Sequence, residues 1–186
     1  MAVVFDTSAL NKLQMAMQDL RGHEKTQVMS RAINRAGDMA FTRIKRTVAD
    51  EVGLPVGQTV KYGGLRKKRA NGAHMNYEVI STGGYLPLKL FKLQDVRPGG
   101  VTHKAWGKQQ RVPSGFVISK YGGNAYIREG KSRFPIRKLY GPAIPNELVR
   151  GESNKQMVEM AQTKLPERLD YELGALTRRI GARYGL

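Results

Sequence analysis

The chain has 186 residues, 32 Lys and Arg against 15 Asp and Glu, and no cysteine. That length suits one domain with a real hydrophobic core, and the absence of cysteine excludes a disulfide scaffold, a thiol nucleophile and any cysteine-held zinc. No run approaches the roughly 18 apolar residues of a membrane span, and the N-terminal MAVVFDTSAL lacks the basic start of a signal peptide, so synthesis in the cytoplasm is expected. The net charge of +17 predicts an acidic partner. Residues 1–60 hold 8 basic and 6 acidic side chains, 61–140 hold 17 and 3, and 141–186 hold 7 and 6, giving nets of +2, +14 and +1. The excess lies almost wholly in the middle.

The first block reads as helical. Leu10, Leu13, Met17 and Leu20 share one face of a short helix that Asp6, Thr7 or Ser8 would cap. A longer helix is predicted over about 24–52, with Met29, Ile33, Ala36, Ala40, Ile44 and Val48 as its apolar stripe and Gly53 and Pro55 as its stop. Gly37 inside it costs about 1 kcal/mol relative to Ala, which a close crossing by another element would explain.

The middle block is rich in glycine and β-formers. Residues 56–61 read as a short extended piece or a turn, and 65–72 (LRKKRANG) as a loop or hairpin tip. Strands are predicted over 74–81, 86–93, 100–106, 115–120 and 124–128, with Gly122-Gly123 as a hairpin turn. Frequent turns between short strands indicate an antiparallel sheet. The proline-rich 134–145 (FPIRKLYGPAIP) reads as a stiff path outside regular structure. It suits either a surface that docks on another subunit or an internal strut.

The last block returns to helix. Ser153 is the predicted cap, Met157, Val158, Ala161 and Leu165 the first stripe, and Leu169, Leu173, Leu176 and Ile180 its continuation beyond Pro166. The expected fold is therefore α+β: one antiparallel sheet of about four or five strands flanked by N-terminal and C-terminal helices, in a single domain over 1–186. Its parts are helical 1–53, basic and β-rich 54–140, and helical 141–186.

No chemistry of catalysis emerges. His23, His74 and His103 lack metal-ligand spacing, and no Gly-x-Ser-x-Gly or phosphate-binding loop occurs. No catalytic residue, metal or cofactor is expected. The basic residues fall in three clusters mixed with aromatics: Arg66, Lys67, Lys68 and Arg69 beside Tyr62; Lys104, Lys108 and Arg111 around Trp106; and Arg128, Lys131, Arg133, Arg137 and Lys138 near Tyr126, Phe134 and Tyr140. Such mixtures bind phosphates and stack on bases, or dock an acidic protein, and charge alone does not decide between them. Reversing all four charges at 66–69 is expected to impair assembly with the partner and leave folding intact.

The stretch 114–145 resembles the prophage minor tail protein Z family, the tail completion proteins of long-tailed phages. Gly115, Phe116, Val117 and Ile118 match its first strand, and Tyr126, Ile127 and Arg128 its second. Pro135, Ile136, Leu139, Gly141, Pro142, Ile144 and Pro145 match its Pro-Ile-x-x-Leu-x-Gly-Pro segment. The helix with Ala32, Asn34, Arg35, Ala36 and Arg43, the stop Gly53-Leu54-Pro55, and Leu86-Pro87-Leu88 before Phe91 resemble it too. The resemblance implies a non-enzymatic virion protein at the head-proximal end of the tail, needed for head–tail joining. It further implies self-association in a ring, commonly sixfold, with tail terminator, tail tube and connector proteins as partners. The docking segment would be Phe134, Pro135, Ile136, Leu139, Tyr140, Gly141, Pro142, Ile144 and Pro145. Part of the basic block is expected to face an acidic partner, either the DNA that passes the neck or an acidic neighbouring ring, and contact with membrane is not expected. The alternative reading is a stand-alone basic nucleic-acid-binding protein.

Overall fold

The computed structural model describes residues 2–3, 22–96 and 98–184. The short helix expected around Leu10–Leu20 lies outside the described residues. The long helix α1 spans Gly22–Val52. Its expected stripe is buried throughout: Met29, Ile33, Ala36, Ala40, Ile44 and Val48 are all at or below 5% exposure. Gly53, at φ +81, ends it.

After Pro55 comes a second helix, α2, over Val56–Gly63. It replaces the extended piece or turn expected there. Its Val, Thr and Gly residues are weak helix formers. Tertiary packing outweighs that, since Thr59 is fully buried and Gly63 lies against Ile144. Gly64, left-handed at φ 55, closes the helix with a bond to the Val60 carbonyl.

Eleven strands follow or precede, all short and all paired antiparallel among the described residues. They are β1 (Ala2–Val3), β2 (Arg66–Lys68), β3 (Glu78–Ile80), β4 (Tyr85–Pro87), β5 (Gln94–Asp95) and β6 (Val101–His103). Then come β7 (Gln110–Val112), β8 (Phe116–Ile118), β9 (Asn124–Arg128), β10 (Ile136–Lys138) and β11 (Tyr140–Ala143). They form four small sheets, β1-β3-β2, β5-β6-β7, β10-β9-β8 and β11-β4. The α+β class with antiparallel strands between terminal helices is therefore the fold, with its strands shared among small sheets rather than gathered in one.

Five local expectations change. The strand expected at 74–81 shrinks to β3, and β2 occupies part of the expected loop at 65–72. The 134–145 segment, expected outside regular structure, supplies β10, β11 and the start of helix α3 (Ile144–Arg150). Its prolines sit where strands and helix starts tolerate a missing N–H. The strands expected at 86–93 and 100–106 each turn into a 3-10 turn after three residues. The hairpin β8–β9 is as expected, with Ile118 opposite Asn124 across Gly122-Gly123, both at positive φ.

The last helix, α4, runs Glu152–Tyr184 and continues through Pro166. Met157, Ala161, Leu165, Leu169 and Leu176 are buried, whereas Val158 is exposed. Ser153 is not the cap. It is the second helical residue, and its Oγ donates to Glu51 Oε2 at 2.7 Å while the Glu152 amide donates to Glu51 Oε1 at 2.5 Å. A carboxylate from the end of α1 thus caps α4, favoured by the charge-assisted bonds and the positive end of the helix. Glu51→Ala is expected to cost about 1–2 kcal/mol in urea denaturation, with Glu51→Gln recovering part of the loss. An unchanged midpoint for Glu51→Ala would remove the carboxylate from this role.

The chain divides into two compact units. The first comprises Met1–Ile44, Arg66–Ile80 and Asn154–Leu186, and the second Lys45–Leu65 and Ser81–Ser153. In the first, α1 residues such as Val28, Ile33 and Phe41 bury with Tyr77, Val79, Met157 and Leu165. In the second, Leu86, Leu88, Phe91, Val101, Ala125 and Ile144 form the core. Each fully buried aliphatic side chain of this size contributes about 2 kcal/mol of burial.

Candidate functional site

The first basic cluster lies on β2 in the first unit, and its side chains alternate. Lys67 Nζ reaches Asp38 Oδ1 at 2.6 Å, Arg69 bonds Asp38 Oδ2, and Lys67 also lies 5.8 Å from the Phe41 ring centroid. These two cations face α1. Lys68 points the other way and meets its cross-strand partner Glu78 at 3.6 Å. The Tyr77 hydroxyl donates to Asp38 Oδ1 at 2.8 Å. Burial opposes the charge on Asp38, but hydrogen bonds from Arg69, Lys67 and Tyr77 outweigh it and hold its carboxyl at about 2. Burial, and then the bond to Asp38, pushes the Tyr77 phenol well above its usual range.

Cations at 67, 68 and 69 are thus paired with carboxylates at the protein surface, and Arg66 alone of the four has no side-chain partner among the described residues. Reversing all four charges would set two new acids against Asp38. That substitution would disturb folding as well as binding, contrary to the expectation from sequence. The missed signal was the period of two: Lys67 and Arg69 alternate with Arg66 and Lys68 as strand residues do.

The other two clusters belong to the second unit. Lys104 and Lys108 flank a 3-10 turn, exposed and without ion partners among the described residues. Arg111 Nε donates to the Gly99 carbonyl at 2.6 Å, so it clamps the turn before β6. Arg128 stacks 5.0 Å over Phe116 and donates to the Arg133 carbonyl at 2.5 Å. Lys131 and Arg133 are exposed, and Arg133 lies 5.8 Å from the Phe134 ring centroid. The set is therefore two groups in separate units, and in the second Lys104, Lys108, Lys131 and Arg133 are the exposed members whose side chains make no hydrogen bond or ion pair among the described residues.

The 134–145 segment splits in the same way. Gly141, Pro142 and Ile144 are buried, and a Cβ on Gly141 would meet Phe91 at 3.0 Å. Phe134, Pro135 and Tyr140 are exposed, and Ile136, Leu139 and Pro145 lie between. Leu139, Tyr140, Gly141 and Pro142 line an open groove of about 530 Å³ together with Tyr85, Trp106, Asn146, Glu147 and Arg150. Phe134 and Pro135 do not line it. Tyr85 and Trp106 belong to it from elsewhere in the chain, and no local pattern links them to this segment.

Trp106 adopts a left-handed backbone, φ 55 and ψ 31, and its indole N–H donates to Glu147 Oε1 at 3.0 Å. Nearby His103 is buried, and its Nδ1 accepts the Ala105 amide at 3.3 Å. Burial lowers its pKa, favouring the neutral ring. Among the described residues no three His, Asp or Glu side chains gather as a metal site requires, and no helix is long and apolar enough to cross a membrane.

Exposed cations, exposed aromatics and an open groove are the main features of the described surface. The family profile of prophage minor tail protein Z (GPZ) matches residues 10–183, and the chain belongs to that family. It is a structural protein of the phage tail, carried in the virion and in contact with other phage structural proteins. No curated protein and no solved structure matches it.

Proposed function

We propose that this tail protein completes the head-proximal end of the tail and makes it competent for head joining. It acts without catalysis, as a ring of copies, six in the arrangement common to such components. The tail terminator, tail tube and connector are its neighbours. Beyond family membership, the observation that carries the reading is the set of exposed cations Lys104, Lys108, Lys131 and Arg133, which have no ion partners among the described residues. Repeated around a ring, they create a strong positive field toward an acidic neighbour or the DNA that passes the neck.

The test is a phage carrying a nonsense mutation in this gene, grown on a non-suppressing host. Electron microscopy is expected to show filled heads and tails unjoined, with joining restored by adding the purified protein. Joined particles in normal number would overturn the assignment. Reversing Lys104, Lys108, Lys131 and Arg133 together is expected to cut phage yield at least tenfold with an unchanged circular dichroism spectrum. Normal yield would remove those residues from the partner surface.

The stand-alone nucleic-acid-binding reading predicts tight, steeply salt-dependent DNA binding by the isolated chain. Pairing of Lys67, Lys68 and Arg69 with Asp38 and Glu78 weighs against it, because two carboxylates offset part of the densest cationic run.

A further inference from the structure

The groove between Tyr85, Trp106 and Tyr140 is an unusual concentration of exposed aromatic surface. These side chains are 64%, 38% and 52% exposed, and all three line this one groove. Left-handed backbone at a residue as bulky as Trp is strained, and it persists only where the surroundings enforce it. Here the turn is closed by the Lys108 amide bond to the Ala105 carbonyl, and the indole is tied to Glu147. The result is a preset aromatic anchor, with little side-chain freedom left to lose on binding. Trp, Tyr and Arg are the residues that dominate binding energy at protein interfaces.

The charge of the groove selects the partner. Arg137, Lys138 and Arg150 line it against a single carboxylate, that of Glu147, which already accepts the indole N–H. Arg150 has no side-chain partner among the described residues, and Arg137 makes only an exposed 3.7 Å contact with Glu129. Lys138 lies 5.2 Å from the Tyr140 ring centroid. Three cations beside three aromatics fit an acidic segment that also carries an apolar side chain. A volume of about 530 Å³ accommodates a few residues, not a duplex. Single-stranded nucleic acid is disfavoured because stacking on Trp106 would draw a phosphate toward Glu147.

We infer that this groove is the docking site for a short acidic segment, with an embedded apolar residue, of a neighbouring protein. The inference deepens the tail reading by naming the chemistry of one neighbour, and it rests on that reading only for where the neighbour is found. Its test needs no virion. Trp106 is the only tryptophan of the chain, so tryptophan emission, excited at a wavelength where tyrosine does not absorb, reports on this groove alone. The full-length protein is used to select from a bead library of random eight-residue peptides. Recovered peptides are then titrated while Trp106 emission is followed.

The expected result is enrichment of Asp and Glu around an apolar residue, a saturable emission change, and affinity that falls with salt. Arg137→Glu combined with Arg150→Glu should weaken binding at least tenfold, and Tyr140→Ala to a similar degree, with circular dichroism unchanged. Recovery of no peptides, or of peptides without acidic enrichment, would overturn the proposal. So would an oligothymidylate that changes Trp106 emission at lower concentration than the selected peptides. If peptides bind as expected but the nonsense mutant still joins heads to tails, the groove stands and the head-proximal assignment falls.

Discussion

Replacing Gly37 with alanine is expected to destabilise the protein by about 2–3 kcal/mol, although alanine is the better helix former by about 1 kcal/mol. An ideal Cβ at this position falls on the Tyr77 ring, in overlap with Cγ and Cδ2 and 2.7 Å from Cδ1. The ring is fully buried, so it has no open space to turn into. Helix α1 therefore carries a glycine in its middle because an aromatic side chain crosses it there. Urea denaturation of the variant measures the loss, and a stability equal to or above wild type would show that the ring yields. A double-mutant cycle sharpens the point. In a Tyr77→Ala background the same Gly37→Ala change should become neutral or stabilising, since only the propensity gain remains.

The adjacent residue gives the second large effect. Asp38→Ala is expected to cost about 3 kcal/mol, because it leaves the buried Tyr77 hydroxyl without its acceptor and two cations without their counter-charge. Asp38→Asn should lose less, since the amide oxygen still accepts from the phenol. The pH dependence follows from the sign of the shift. The carboxyl is held at about 2 in the folded protein against 3.8 for the free side chain. The unfolded chain therefore takes up the proton first. The contribution is complete above about pH 4 and is lost as the pH falls from there toward 2. Partial exposure of the carboxylate limits it to about 1–2 kcal/mol. The stability gap between wild type and Asp38→Asn should therefore narrow from pH 5 to pH 2.5, as read from denaturant midpoints. A gap independent of pH would mean that the carboxylate charge contributes nothing.

These two neighbours show what was legible in the sequence. The period of α1 named its buried face, and the cost of Gly37 pointed to a crossing element without revealing Tyr77, 40 residues away. The hairpin β8–β9 was readable because its turn chemistry and β-formers agree. Helix α2 was not, because its weak helix formers are overridden by contacts with residues such as Ile144 that no local window contains. The strand β2 was hidden by its charge. A run of four cations looks like a solvated loop until Asp38 and Glu78 are known to stand beside it. Proline misled in the same way at 134–145, where it marks strand and helix boundaries rather than their absence. The candidate surfaces were legible as residue types but not as groups. The basic run at 66–69 is in part paired with Asp38 and Glu78, whereas Trp106 and Tyr140, read separately in two clusters, line one groove with Tyr85.

The division of the chain into units has a consequence for the order in which the protein forms on the ribosome. The second unit uses only residues 45–65 and 81–153, so all its segments exist once residue 153 has been made. The first unit needs α1, β2, β3 and the long helix that follows residue 153. Until that helix emerges, the stripe of α1 from Val28 to Ile44 lacks part of its cover, and long-range closure must wait. During synthesis one half of the molecule can settle early while the other keeps an apolar helix face open. That helix face is where a chaperone, or a premature contact between nascent copies, would act.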